Sequence, residues 1–399
     1  MSTTTTTAVT STDTHTQSPA LTRVDDLPAS TVQCHASNLL ELPDKTLLCV
    51  WFGGTQEGTQ DISIYLSRLA PGGPASSSSW TEPARVSADK DRSEQNPVLF
   101  RDPAAGTIWL FHTAQPLGNQ DEAVVVARTS GDDGRTWSAP FEPFPGKRGV
   151  FVRQPLVVLP GGAWVLPVWY CRTPPGFRWV GNDDVSAVLY TQDGGRTWLE
   201  KEVPDSVGRV HMNILQLPGS GSYVAFFRSR WADEVYRSVS ENGLDWSAPE
   251  KTSLPNPNSG IGAATLPNGD IVLIFNDSKA DPEMQRRTGL YDDITPAEDT
   301  RSNQPGVGSK VAIWGTPRKA LSVALSKDKG KTWKWRVLEG GDGFCMTNNS
   351  KERTNRELSY PSIVVDGNGG SGVHVAYTYH RRNIKYVYIR DTEEFVSKT

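Results

Sequence analysis

From about residue 33 onward, apolar positions come in short runs of six to nine residues rather than with a helical period. "TLLCVWFGG", "TIWLFHTA", "AVVVARTS", "AWVLPVWY", "SAVLYTQ", "YVAFFRSR", "IVLIFND", "KALSVALS", "HVAYTYH" and "IKYVYI" are each bounded by Gly, Pro, Asn or Asp. Such runs predict strands separated by turns, hence an all-β chain built as a sandwich, a barrel or a propeller. A recurring element decides among these. "SGDDGRTWSAP", "TQDGGRTWLE" and "SKDKGKTWKW" place a tryptophan (Trp137, Trp198, Trp333) directly after a polar turn. "SENGLDWSAP" shortens the element before Trp246, and "SRLAPGGPASSSSW" is a degenerate copy ending at Trp80. Each interval between copies holds one four-stranded sheet with its loops, so the repeat unit is a propeller blade.

The turn has a physical logic. Asp132, Asp193 and Asp328 can accept backbone N–H bonds, and Gly134, Gly195 and Gly330 supply a left-handed backbone. The indole then folds back to cap the blade. The spacing Ser-x-Asp-x-Gly-x-Thr-Trp resembles the Asp-box of the sialidase-like propellers, an architectural staple that carries no chemistry of its own. Five such turns suggest six blades. The sixth is expected from C-terminal strands (374–390) closing on an N-terminal strand near 30–50, so that residues 29–399 form a single β-propeller.

Composition narrows the setting. Among 399 residues the formal net charge is −4 without a basic block, which disfavours nucleic acid or an anionic membrane as partner. No apolar run approaches the ~20 residues of a membrane helix. Cys34, Cys49, Cys171 and Cys345 show no metal-binding spacing, and neither metal nor cofactor is expected. The Ser/Thr-rich start reads as a disordered tail over residues 1–28 without a secretory signal, which implies a cytoplasmic setting.

Beyond the turns, "CHASNLLELPDKTLLCVWFGGTQEG", "QNPVLF", "LPNPNSGI" and "ELSYPSIVV" resemble the sialidase superfamily, in particular its branch of BNR-repeat proteins known as predicted neuraminidases. The resemblance implies a six-bladed β-propeller with a site at one end of its axis. It also implies a tyrosine nucleophile, an activating glutamate, an acidic residue for the leaving group and three arginines for a substrate carboxylate. Tyr360 falls at the tyrosine. Arg228, with Arg230 as alternate, and Arg318 fall at two of the arginines, and Arg153 is a substitute for part of the third. Where the first arginine belongs the chain has His35, and where the activating glutamate belongs it has His211. Asp61 or Glu57 falls at the acid. Asn96, Asn256 and Asn258 are candidate amides for sugar hydroxyls, although Asn before or near proline is also an ordinary turn residue.

This set implies an exo-glycosidase removing a terminal acidic sugar, Tyr360 attacking and His211 taking its proton. A uronate lyase using His and Tyr as acid and base is the alternative, and a non-hydrolytic cyclase or a carbohydrate-binding propeller are further ones. The expected partner is a small molecule or oligosaccharide bearing a carboxylate. Residues 279–316 and 340–357 are long insertions expected to roof the pocket.

Overall fold

A computed structural model of the chain describes residues 21–29, 31–71, 80–281, 283, 301–305, 311–340 and 357–398. Six small antiparallel sheets form a six-bladed β-propeller. Blade I holds Gln33–Glu41, Leu47–Gly54, Ser63–Leu69 and Ala84–Arg85; blade II holds Ser93–Arg101, Ile108–Gln115 and Val124–Ser130. Blade III runs through Val150–Val152 with Val157–Val158, then Trp164–Tyr170, Val185–Thr191 and Leu199–Glu202. Blade IV comprises Arg209–Gln216, Tyr223–Ser229, Glu234–Ser240 and Glu250–Pro255. Blade V comprises Gly262–Thr265, Ile271–Asn276, Leu321–Ser326 and Lys334–Glu339.

Blade VI is made of Leu358–Val365, Val373–Tyr379 and Asn383–Ile389, with Thr22–Asp26 as its outermost strand. The ring therefore closes, but through a different segment from the one expected. Residues 33–54 are consumed as the inner strands of blade I, and closure falls to "TRVDD", paired with Asn383–Ile389 from Thr22↔Ile389 to Asp26↔Lys385. This strand lies within the stretch read as tail. As an outer edge it buries little, so its composition is that of a solvated segment. Residues 1–20 lie outside the described residues.

Middle strands have blades stacked on both faces, and Leu47–Gly54, Ile271–Asn276 and Leu321–Ser326 are buried throughout. Their sequences consequently read as unbroken apolar runs. Between blades the tryptophan turns act as seams. At Asp132, Oδ1 accepts from the N–H groups of Arg135 (3.0 Å) and Thr136 (2.9 Å), and Oδ2 accepts from Thr136 Oγ1 (2.6 Å). The same three bonds recur at Asp193 and Asp328. Gly134, Gly195 and Gly330 have φ of 76°, 88° and 79°.

Each indole then packs on the preceding blade rather than on its own. Trp137 lies against the blade I cluster of Leu48 and Leu66, Trp198 against Phe111 and Phe144, and Trp333 against Phe226 at 5.5 Å. Trp246 joins Val165 and Val188 of blade III, and Trp80 meets Tyr386 of blade VI at 5.4 Å. The sixth seam has no tryptophan turn, because the outer strand of blade VI comes from the far end of the chain. A short helix, Thr392–Ser397, fills that place, and its Phe395 enters the cluster of Leu321, Val323 and Leu325 in blade V. No helix among the described residues is long and apolar enough to cross a membrane.

Phe395→Ala should therefore cost about 3 kcal/mol or more, as for a buried phenylalanine at any seam. Urea unfolding of the variant beside Trp333→Ala measures this; a loss below about 1 kcal/mol would show that the helix does not close the ring.

Candidate active site

Innermost strands carry a bulge at a corresponding position in four blades: between His35 and Asn38, Gln95 and Val98, Val210 and Asn213, and Ser359 and Ser362. Within these bulges Ala36, Asn96, His211 and Tyr360 have φ of 58°, 52°, 56° and 51°, and Asn258, just ahead of blade V, has 56°. Non-glycine residues rarely occupy this region, and such strain persists only where the surroundings enforce it. Arg153, from the gap in the inner strand of blade III, supplies part of that enforcement. Its Nη2 donates to the Tyr360 and Pro361 carbonyls (2.9 and 3.2 Å) and its Nη1 to the Ser37 carbonyl (3.0 Å). Gly260 supplies space: a Cβ there would lie 3.3 Å from Tyr360 Cγ and 3.4 Å from His211 Nδ1.

Tyr360 is the centre of the group. Its ring lies 4.3 Å from that of His35 and 5.4 Å from that of His211, centroid to centroid. The guanidiniums of Arg153, Arg228 and Arg318 all stand within 5.5 Å of its ring centroid. Arg228 Nη1 donates to the phenolic oxygen at 2.5 Å, while Nε donates to Asn258 Oδ1 at 2.7 Å. Arg228 Nη2 and the hydroxyl proton of Tyr360 have no partner among the described residues.

On one side of Tyr360 stands His211. Its Nε2 is 3.3 Å from Arg228 Nη1. A guanidinium only donates, so Nε2 accepts and the ring proton is assigned to Nδ1. Burial, then Arg228, Arg230, Arg153 and Arg318, hold this imidazole far below its usual range, hence neutral. On the other side, Glu357 joins Arg318 (2.6 Å) and Arg381 (2.7 Å), and Arg381 pairs with Glu57 at 2.6 Å. Burial alone would raise the Glu357 carboxyl, but Arg381, Arg318 and His35 outweigh it and keep it well below the ordinary carboxylate range. His35, whose Nε2 is 3.3 Å from Arg381 Nη2, is kept neutral by burial and then by Arg381.

Charge is unevenly matched. Arg318, Arg381 and Arg230 have carboxylate partners; Arg153 and Arg228, fully buried, have none among the described residues. Burial lowers their values to about 10 and about 9, which still leaves both charged at neutral pH. The site is a buried cluster with more guanidiniums than carboxylates among the described residues and with neutral imidazoles around a phenol.

Residues 45–375 match the family described as BNR repeat-like domain. The chain belongs to that family. No curated protein matches this BNR repeat-like chain in sequence. Its fold is similar to the Hadza microbial sialidase Hz136, at 15% identity and a TM-score of 0.64, over 90% of this chain and 66% of that one. A protein of unknown function from Dyadobacter fermentans DSM 18053 is similar at 16% identity and TM-score 0.64, covering 93% and 99% of the two chains. So is the intramolecular trans-sialidase from Ruminococcus gnavus, in complex with oseltamivir carboxylate, at 12% identity and TM-score 0.63, over 92% and 96%.

The BNR repeat-like fold brings His35, His211, Tyr360, Arg153, Arg228, Arg318, Asn258 and Glu57 into one connected group. Some candidates land elsewhere or do other work. Asp61 is exposed, and its carboxylate is taken up by Thr55 N (2.8 Å), Thr55 Oγ1 (2.9 Å) and Thr59 Oγ1 (2.5 Å), so it staples its own loop. Arg230 pairs with Asp184 at 2.7 Å between Trp179 and Trp314. Asn256 folds its turn, accepting from Ser229 N and Ser259 N. Asn96 occupies the blade II bulge with its amide unbonded among the described residues. Arg153 spends its Nη donors on the Ser37, Tyr360 and Pro361 carbonyls, while its Nε has no partner among the described residues. His211 is not hydrogen-bonded to Tyr360; the guanidinium of Arg228 intervenes.

Two central residues escaped the sequence reading, Glu357 and Arg381. Both sit at strand ends, in "ELSY" and "YHRRN", and the one available signal was a charged residue abutting an aromatic strand. Of the two insertions, Ser302–Asn303 pairs with Phe177–Arg178, and Trp314 packs on Trp179 at 5.7 Å. Residues 284–300, 306–310 and 341–356 lie outside the described residues.

Both imidazoles titrate below their free value when folded, so the unfolded chain takes up protons that the folded one refuses. Their contribution is complete above the ordinary histidine value of about 6.5 and is lost as pH falls through it. His112, lowered to about 3 by burial and then Arg128, acts in the same direction. The melting temperature should fall between pH 7.5 and 5.5, and a His35→Gln/His211→Gln variant should show a flatter profile. An unaltered slope in that variant contradicts the assignment.

Proposed function

We propose that the protein is a carbohydrate-active enzyme, an exo-glycosidase that removes a terminal sugar bearing a carboxylate. The observation that carries this reading is the bond from Arg228, a buried guanidinium without a carboxylate partner among the described residues, to the hydroxyl of Tyr360. Negative charge that develops on the phenol oxygen as its proton departs, and again as the phenol leaves the sugar, meets a fixed positive charge at hydrogen-bond distance. The free Nη2 of the same arginine is a donor for the substrate carboxylate, and planar guanidinium forks suit that partner. In this reading the Tyr360 oxygen bonds to the anomeric carbon as the glycosidic C–O bond breaks, and the phenol proton passes to a neutral imidazole beside the ring, His211 or His35. The leaving oxygen takes its proton from water, since the Glu57 carboxylate is held in its ion pair with Arg381, and a water molecule then releases the sugar and restores the phenol. The sialidase-like fold and the complex of a structural relative with oseltamivir carboxylate support an acidic substrate.

One observation favours a second reading, β-elimination from a uronate. Two neutral imidazoles flank Tyr360, and neutral bases beside guanidiniums suit removal of a proton α to a carboxylate.

Incubation with aryl glycosides and with uronate-capped oligosaccharides separates the readings: hydrolysis releases a reducing sugar without near-ultraviolet absorbance, elimination an unsaturated uronate that absorbs there. We expect Tyr360→Phe to lower kcat by about 10²–10⁴-fold with little change in substrate affinity. Turnover at wild-type rate by Tyr360→Phe contradicts both.

A further inference from the structure

We infer that the closing seam of the ring holds a site for one divalent transition-type metal ion, ligated by Glu41 of blade I and by Asp366 and His374 of blade VI. One ligand atom from each of these residues lies within 4.8 Å of the others. Glu41 ends the inner strand of blade I and Asp366 follows that of blade VI, each six positions beyond His35 or Tyr360. At strand rise that is about 20 Å from the candidate active site.

Three features fit an ion rather than a self-contained polar cluster. First, His374 is oriented as a ligand: Nδ1 stands 2.7 Å from Tyr386 Oη, and Nε2 faces Glu41 Oε2 at 3.7 Å, too long for a hydrogen bond. A metal on Nε2 would select the tautomer in which Nδ1–H donates to Tyr386, the usual arrangement for a metal-bound imidazole. Second, the carboxylates have their own supports outside the triad. Asp366 accepts from Tyr388 Oη at 2.8 Å and from Asn368 N at 3.1 Å, and Glu41 accepts from Lys45 Nζ at 2.9 Å. Third, a cavity of about 220 Å³ opens beside the three ligands, roomy enough for an ion and the waters that complete its coordination.

One imidazole with two carboxylates is a donor set for Zn²⁺ or Mn²⁺ more than for Ca²⁺ or Mg²⁺, which prefer oxygen throughout. Lys45, whose side chain is 37% exposed, currently supplies positive charge to Glu41 and can swing aside. Because the ligands come from both ends of the ring, only the closed propeller presents them together. Binding is thereby coupled to closure and stabilises the folded chain. Residues 41, 366 and 374 are too scattered along the chain to form a spacing motif.

The test uses the full chain, stripped with chelator and dialysed, then melted with Zn²⁺, Mn²⁺, Ca²⁺ or no metal, alongside calorimetric titration. We expect about one Zn²⁺ or Mn²⁺ per chain and a melting temperature raised by a few degrees at saturation, with Ca²⁺ much weaker. Glu41→Gln, which preserves shape, should fold normally and bind at least about tenfold more weakly, as should His374→Ala. Lys45→Ala should bind more tightly, since it removes one of the two cations, Lys45 and Arg23, that line the cavity. No bound metal in the wild type, or an undiminished metal-dependent shift in Glu41→Gln and His374→Ala, overturns the proposal.

Discussion

A buried guanidinium with no carboxylate partner among the described residues is the constraint around which this part of the propeller is organised. Burying Arg228 costs free energy that a carboxylate partner would ordinarily offset. Here the surroundings offer the oxygen of Asn258, the nitrogen of a neutral His211 and the hydroxyl of Tyr360 instead. Positive potential is thus left unspent, directed at a phenol and at whatever anion enters. The neighbouring arginines show the contrast. Arg318 and Arg381 share Glu357, and Arg230 is matched by Asp184.

Holding that arrangement falls to features remote from the chemistry. Bulged inner strands put Tyr360 and His211 in a left-handed backbone, and Arg153 ties the Tyr360 bulge to blade I through the Ser37 carbonyl. Rigidity of the blades follows from their seams, where aromatic side chains cross from each blade to the one before it. At the sixth seam Phe395 replaces the missing indole because the chain must borrow its outermost strand from residues 22–26. Precision at the hub is inherited from close packing at the rim.

Much of the fold is legible in the sequence. The tryptophan turns announce a ring of blades because their bonds are local: each aspartate reaches residues three and four positions ahead. Tyr360, Arg228, Arg318, His35 and His211 stand out through segments that resemble those of the sialidase superfamily, and the fold gathers them around the Tyr360 ring. Glu357 and Arg381 do not stand out, since a charged residue at a strand end looks the same whether it faces solvent or a buried cluster. Asp61 shows the converse, a carboxylate in the right segment whose acceptors are claimed by two nearby threonines. The closing strand was hidden for a related reason, because an outer edge strand is as polar as a tail. Pairings over hundreds of residues, such as Arg381 with His35, leave no trace in spacing.

The most direct test of the unmatched charge is equilibrium binding of glucuronate against glucose by isothermal titration, in the wild type and in Arg228→Met. The account predicts that the acidic sugar binds roughly tenfold or more tightly, a preference worth about 1.4 kcal/mol, and that Arg228→Met removes it. Equal affinity for both sugars in the wild type, or a preference that survives the substitution, contradicts it.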